Sequence, residues 1–94
     1  MTHTYSHPGK ILKEVFMRDA GVSASALARA IAVPTNRVSE ICAGRANITA
    51  DTAIRLGSYF GNDPQEWMYA QSQYGLSQAR QKSAGQVQSG AHSL

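Results

Sequence analysis

The sequence predicts an all-α fold of five short helices. Apolar residues recur at spacings of three and four between regularly placed glycines and prolines. No segment of useful length alternates apolar and polar residues, as a half-buried strand would. A chain of 94 residues is expected to form one domain with one modest core, so we expect no large enzyme architecture.

The first two helices are delimited by residues with known end preferences. Pro8 suits a first helical turn, where its missing N–H costs nothing, and Gly21 suits a C-terminal cap, which predicts a helix over about 8–19. Ser23 is a favoured N-cap for the second helix, whose apolar stripe ends near Ala32.

The fourth and fifth helices follow the same rules. Thr49 is the expected N-cap of the fourth helix, and Gly61 is its expected end. The fifth is predicted over about 63–74, with Glu66 able to reach back to the cap and Gly75 as the end.

Composition divides the chain into three parts. Residues 1–6 form an N-terminal arm, and residues 7–75 form the helical domain. Residues 76–94 are rich in Ser and Gln and have too few large apolar groups to offset the entropy of ordering them. We expect this tail to be flexible or weakly helical.

The second and third helices are the candidate functional unit. About three residues join them, and so short a link makes two helices cross steeply, as in a helix-turn-helix. Pro34 is preset for the first turn of the third helix, which is predicted over about 34–43. Val38 and Ile41 would face the core, so the polar side of this helix is free to enter the major groove of DNA as a recognition helix.

The outward side chains suit base edges. Arginine donates to guanine, asparagine bonds both edge groups of adenine, and glutamate accepts from cytosine. The predicted base-contacting residues are Thr35, Asn36, Arg37, Ser39 and Glu40, with Ser39 as a secondary contact. Two alternatives stay open, an ordinary solvated face and a pairing of Arg37 with Glu40 in place of base contact.

Three further residues suit phosphate groups. Ser23 lies at the start of the second helix, and Arg45 and Asn47 lie in the loop after the third. Such contacts provide affinity and register but carry no sequence information. The net charge of +3 permits a polyanionic partner without requiring one.

These residues carry a family resemblance. The stretch SASALARAIAVPTNRVSEICAGRANITADTAIRLGSYFG resembles the helix-turn-helix core of phage-repressor or XRE-type regulators, which implies a lambda-repressor-like domain. With HPGKIL before it and NDPQEWMYAQSQYGL after it, the chain is similar to HigA-type antitoxins, also called virulence-associated protein I. The resemblance covers about residues 7–76. It implies a homodimer that binds a palindromic operator in double-stranded DNA, represses its own operon and neutralises a HigB-type, ribosome-dependent mRNA-cleaving toxin.

Three positions depart from the family pattern. Ala24 stands where glutamine often contacts phosphate, and Lys10 stands where an acidic residue usually follows HPG. Ala32 stands where the turn commonly has glycine, at a cost of roughly 1 kcal/mol in a left-handed conformation.

The fifth helix is unusually aromatic. We expect Trp67 in the core, but one face of a helix cannot bury Met68, Tyr69 and Tyr74 as well. A second copy would cover those three, and two-fold dimers span DNA half-sites about 34 Å apart. We therefore predict a dimer through the fourth and fifth helices.

The sequence gives little support for a catalytic site or a metal site. His3, His7 and His92 lie near the termini, Cys42 lies on an apolar face, and no cluster has zinc spacing. We expect no catalytic residues, no cofactor and no membrane span. A single cysteine and the lack of a secretory leader favour the cytoplasm.

Two other readings remain beside the antitoxin. A stand-alone dimeric repressor without a toxin partner would use the same DNA chemistry, and a pure protein-interaction module would not need Arg37. We expect the antitoxin because no sensing domain follows the fifth predicted helix.

Overall fold

The computed structural model describes residues 5–83, which form five helices and no strand. The first helix, α1, covers 8–20 in three continuous sections, α-helical Pro8–Ile11, π-helical Leu12–Met17 and α-helical Arg18–Ala20. The others are α2 (Ala24–Ala30), α3 (Thr35–Cys42), α4 (Ala50–Phe60) and α5 (Pro64–Ser83). The predicted all-α, five-helix class is confirmed. Residues 1–4 of the predicted arm and 84–94 of the predicted tail lie outside the described residues.

The predicted caps at four helix ends are confirmed. The Ser23 hydroxyl accepts a hydrogen bond from the Ala26 N–H at 3.2 Å, and the Thr49 hydroxyl accepts one from the N–H three residues on. Gly21 and Gly61 end α1 and α4 with φ values of 64° and 77°, which glycine adopts without steric cost.

Three details of the predicted ends are wrong. Pro34 has ψ 144° and is the N-cap of α3, so the helix begins one residue later. The Glu66 carboxylate accepts from the Asn62 amide at 3.1 Å and does not reach the cap. Helix α5 continues through Gly75 to Ser83, because an interior glycine costs only about 1 kcal/mol and no left-handed turn forms there.

The core lies where α1, α4 and α5 meet the helix-turn-helix. Trp67 is buried, as predicted, with its ring centroid 4.8 Å from that of Phe16. The other buried apolar side chains include Leu12, Leu27, Val38, Ile41, Ile48 and Leu56. This cluster supports α3 from behind and leaves its other side to solvent.

The approach of α1 to α3 depends on Gly9. A Cβ at this position would overlap the main-chain carbonyl of Ile41. The short HPG segment therefore brings the start of α1 against the end of α3, and His7 caps α1 by accepting from the Gly9 N–H through Nδ1 at 2.9 Å.

Candidate nucleic-acid interface

The turn between α2 and α3 is tight. Ala32, at the turn position where the family commonly has glycine, has φ 59°, and it is the one described residue other than glycine with a positive φ. The Val33 N–H returns to the Ala28 carbonyl at 3.0 Å and closes the end of α2. Four residues, 31–34, thus redirect the chain into α3.

Helix α3 has one buried and one exposed side. Val38 and Ile41 are buried in the core. The residues predicted to contact bases lie on the other side, where Thr35, Asn36 and Ser39 are exposed and Arg37 and Glu40 are half-buried. The Ser39 hydroxyl donates to the Asn36 carbonyl at 3.0 Å.

Glu40 is paired with Arg45. The guanidinium donates to both carboxylate oxygens, from Nε at 3.1 Å and from a terminal nitrogen at 3.0 Å. These hydrogen bonds lower the pKa of Glu40 and raise that of Arg45, so both groups stay charged. The alternative partner of Glu40 inferred from the sequence, Arg37, was therefore wrong.

The loop after α3 is tied to α5 by one side chain. Gln71 Oε1 accepts from the Ile48 N–H at 2.7 Å, and its Nε2 donates to Asn47 Oδ1 at 3.3 Å. This bridge positions Asn47, a predicted phosphate contact, next to Arg45. Sequence reasoning missed Gln71, because no local pattern links it to a loop 23 residues away.

His7 supports the same loop from the other side. It is buried against Gly44, and the Tyr74 ring lies edge-on to it with centroids 4.9 Å apart. Burial lowers the pKa of His7, while the Ala46 carbonyl and the Asn47 side chain oppose that shift. Neither group makes a hydrogen bond of ordinary geometry to Nε2.

The arrangement matches known DNA-binding proteins. A Helix-turn-helix family model matches residues 12–67. Virulence-associated protein I of Dichelobacter nodosus is 48% identical over 75 residues, 80% of this chain and 69% of that protein. A structure described as Pseudomonas aeruginosa antitoxin HigA with higBA promoter is 41% identical, with a TM-score of 0.86 over 88% of this chain and 90% of that one.

This chain belongs to the helix-turn-helix family, within its HigA antitoxins. A structure of antitoxin GraA in complex with its operator is also similar, 37% identical with a TM-score of 0.84, covering 94% of this chain and 93% of that one. The family is DNA-binding and is not a class of enzymes.

The three residues predicted at a dimer interface have different surroundings in this HigA-type chain. Met68 packs against the core, and Tyr74 is half-buried on His7. Tyr69 is 61% exposed and lines a groove between α1 and α5. The three side chains thus do not form one continuous exposed surface.

Cys42 is a core side chain of this domain. It is half-buried, its Sγ lies 3.7 Å from the Met17 sulfur, and burial raises the pKa of the thiol. Within residues 5–83 no three His, Cys, Asp or Glu side chains are grouped to hold a metal ion. In the same range no helix has the length and apolar character to cross a membrane.

Proposed function

We propose that this chain is the DNA-binding antitoxin of a type II toxin–antitoxin module. Its dimer binds a palindromic operator and represses its own operon, and the chain binds and neutralises a HigB-type mRNA-cleaving toxin in the cytoplasm. The observation that carries the proposal is the exposed polar side of α3, held by buried Val38 and Ile41, in a fold that matches antitoxins solved with a promoter and with an operator.

The base contacts are assigned to the exposed side of α3. Thr35, Asn36 and Arg37 lie in its first turn, the part of a recognition helix that reaches base edges. Arg37 suits guanine and Asn36 suits adenine. Ser39 makes a secondary contact.

Glu40 takes part once DNA has bound. In the free protein both its oxygens accept from Arg45. A phosphate is a competing partner for that guanidinium, and a shift of Arg45 toward phosphate would free Glu40 to accept from cytosine. Ser23 and Asn47 would make the other phosphate contacts on either side of α3.

The DNA-binding role is tested with Arg37→Ala. Loss of one bidentate base contact is expected to weaken specific binding by about 1–3 kcal/mol and to relax sequence preference at one position. Fluorescence anisotropy with a duplex from the promoter upstream of this gene measures the loss, and a scrambled duplex reports non-specific binding. Arg80→Ala, on the last turns of α5, is the control with the same change in charge. Equal effects of the two variants would refute the assigned base contact.

The antitoxin role is tested by growth. The small open reading frame adjacent to this gene is expressed with and without this chain from a second promoter. Arrest that is relieved by this chain, and equally by Arg37→Ala, is expected, because the neutralising surface is separate from α3. No arrest, or arrest that this chain cannot relieve, would refute the antitoxin role and leave a dimeric repressor.

A further inference from the structure

The side chain of Gln71 on α5 has a fixed orientation. The Ile48 main-chain nitrogen lies 2.7 Å from one end of its carboxamide, and a main-chain N–H can only donate, so that end is the Oε1 acceptor. The other end of the planar group is then Nε2, which has hydrogens to donate and no lone pair to accept with. Gln71 therefore presents a donor to the residue beyond it.

The residue beyond it is Asn47, and the same reasoning fixes its carboxamide. Gln71 Nε2 lies 3.3 Å from the Asn47 side chain, and a donor needs an acceptor at that distance, so Oδ1 faces α5. His7 faces the same oxygen from the start of α1, because the Asn47 side chain raises the pKa of His7, which is the effect of an acceptor. Donors from two separate elements thus face Oδ1, and Nδ2 lies on the other side of the carboxamide.

The outward nitrogen of Asn47 has no partner among residues 5–83. Asn47 is exposed, and neither hydrogen of Nδ2 is donated to a group in that range. Arg45, two positions earlier on the same loop, is also exposed and carries a positive charge. An amide donor beside a guanidinium suits an anion, and asparagine is among the residues that donate to the phosphate oxygens of DNA. The loop therefore offers DNA one charged donor and one neutral donor.

We propose that Gln71 is a positioning residue for DNA binding, which turns Asn47 so that its Nδ2 donates to a phosphate of the DNA backbone. Three hydrogen bonds then run in one direction, from Ile48 to Gln71, from Gln71 to Asn47 and from Asn47 to the phosphate. Gln71 itself touches no DNA. The inference rests on the proposed function, in which the loop after α3 lies along the DNA backbone.

A scaffold role for Gln71 makes a different prediction. If Gln71 only kept the loop in shape, its loss would displace Arg45 as well as Asn47. The slope of log affinity against log salt separates the two roles, because that slope counts the phosphates neutralised by charged groups. Loss of a neutral amide contact leaves the slope unchanged, whereas displacement of Arg45 reduces it by about one.

Gln71→Met tests the proposal, with Gln73→Met as its matched control. Both replace a half-buried glutamine of α5 with a side chain of similar length, but Gln73 lines the groove between α1 and α5. Fluorescence anisotropy of the full 94-residue chain with promoter and scrambled duplexes, at several salt concentrations, measures the affinity and its salt slope. Circular dichroism confirms that each variant is folded.

We expect Gln71→Met and Asn47→Ala each to weaken binding to both duplexes by roughly threefold to tenfold, with the salt slope unchanged. Gln73→Met should match the wild type. In the Asn47→Ala background, Gln71→Met should weaken binding by less than about twofold more, because no amide remains to be positioned. Losses that add in the double variant, a smaller salt slope, no loss for Gln71→Met or an equal loss for Gln73→Met would overturn the proposal.

Gln71→Glu tests the direction of the hydrogen bonds. A carboxylate still accepts from the Ile48 N–H but cannot donate, so Asn47 is expected to turn Nδ2 toward it and Oδ1 toward the DNA. The added negative charge also weakens binding, and the Asn47→Ala background measures that part by itself. We expect the loss to be roughly threefold larger in the wild type than in that background. Equal losses would contradict the proposed direction.

The experiment separates this inference from the proposed function. A wild type that binds the promoter duplex no more tightly than the scrambled one would refute operator recognition, while comparison of the variants on either duplex would still test Gln71. Tight operator binding with additive losses for Gln71→Met and Asn47→Ala would refute the inference alone.

Discussion

Ala32 holds a backbone conformation that usually belongs to glycine. Its φ of 59° brings Cβ close to the following carbonyl, at a cost of about 1–2 kcal/mol for an L-residue. The turn keeps this shape because Ile31 beside it is buried and the Val33 N–H is bonded to the end of α2. The strain is thus offset by the packing of neighbouring residues.

Ala32→Gly is expected to stabilise the domain. Removing Cβ relieves the left-handed strain, while the extra freedom of glycine in the unfolded chain cancels part of the gain, leaving roughly 0.5–1 kcal/mol. Urea unfolding followed by Trp67 fluorescence measures the change. Ala30→Gly, at the exposed end of α2, is the control and should destabilise by a similar amount. A stability loss in Ala32→Gly would show that the turn is unstrained.

His7 is the one described histidine, and its burial gives stability a dependence on pH. Its pKa in the folded state lies below the ordinary 6.5. Protonation would also remove the Nδ1 acceptor that caps α1 at the Gly9 N–H. The neutral form is therefore the one that the fold retains.

Stability is expected to fall as the pH decreases below about 6.5. In that window His7 is protonated more in the unfolded chain than in the folded chain. The free energy of unfolding therefore rises with pH. His7→Asn keeps an N-cap acceptor without the titration. Thermal unfolding between about pH 5.5 and 7.5 should show a smaller slope for the variant than for the wild type, since the other groups are common to both. Equal slopes would exclude His7 as the source.

At the scale of elements, two glycines within helices differ in how closely a neighbouring helix approaches them. Gly9 allows α1 to contact the backbone of α3, whereas Gly75 lies within α5 with no atom of another residue near the position of its absent Cβ. Both glycines lie within helices, and the tertiary structure shows that one makes a close contact with a neighbouring helix and the other faces open space.

Gly9→Ala and Gly75→Ala are expected to change the free energy of unfolding in opposite directions. The first should destabilise by roughly 3 kcal/mol, because a backbone carbonyl cannot move aside as a side chain can. The second should stabilise by about 0.5–1 kcal/mol through helix propensity. Chemical denaturation of both variants in one buffer checks the pair. A mild effect of Gly9→Ala would mean that α1 can shift away from α3.

At the scale of the whole molecule, the helices outside the helix-turn-helix position the loop that is proposed to contact DNA. Helix α5 holds the loop after α3 through Gln71, and His7 and Tyr74 hold the same loop near Gly44. Arg45 lies in this loop on the exposed side, beside Glu40. The position of the residues proposed to bind phosphate therefore depends on contacts between distant parts of the chain.

Arg45→Ala is expected to weaken DNA binding similarly for all sequences. Removing one phosphate contact should reduce the slope of log affinity against log salt by about one. Anisotropy titrations at several salt concentrations, with operator and scrambled duplexes, measure it. Arg80→Ala should leave the slope unchanged. A loss confined to the operator duplex would make Arg45 a base reader.

The sequence by itself determined the helix class, most helix ends and the two sides of α3. Ser23, Thr49, Gly21 and Gly61 act within one turn of their own positions, so their roles follow from local chemistry. The buried and exposed sides of α3 follow from its 3.6-residue period, which places Val38 and Ile41 together. The family resemblance marked Ala32 as a turn position where glycine is common, and the structure showed that it is left-handed.

Only the tertiary structure decided which polar groups pair and which apolar groups remain exposed. The partner of Glu40 depends on how the chain leaves α3, and the Gln71 and Tyr74 contacts join residues 23 and 67 positions apart. Local sequence preferences also did not predict that α5 continues beyond Gly75 or that Ile54 is exposed. Such contacts are set by the angles at which helices pack, and those angles depend on the whole core at once.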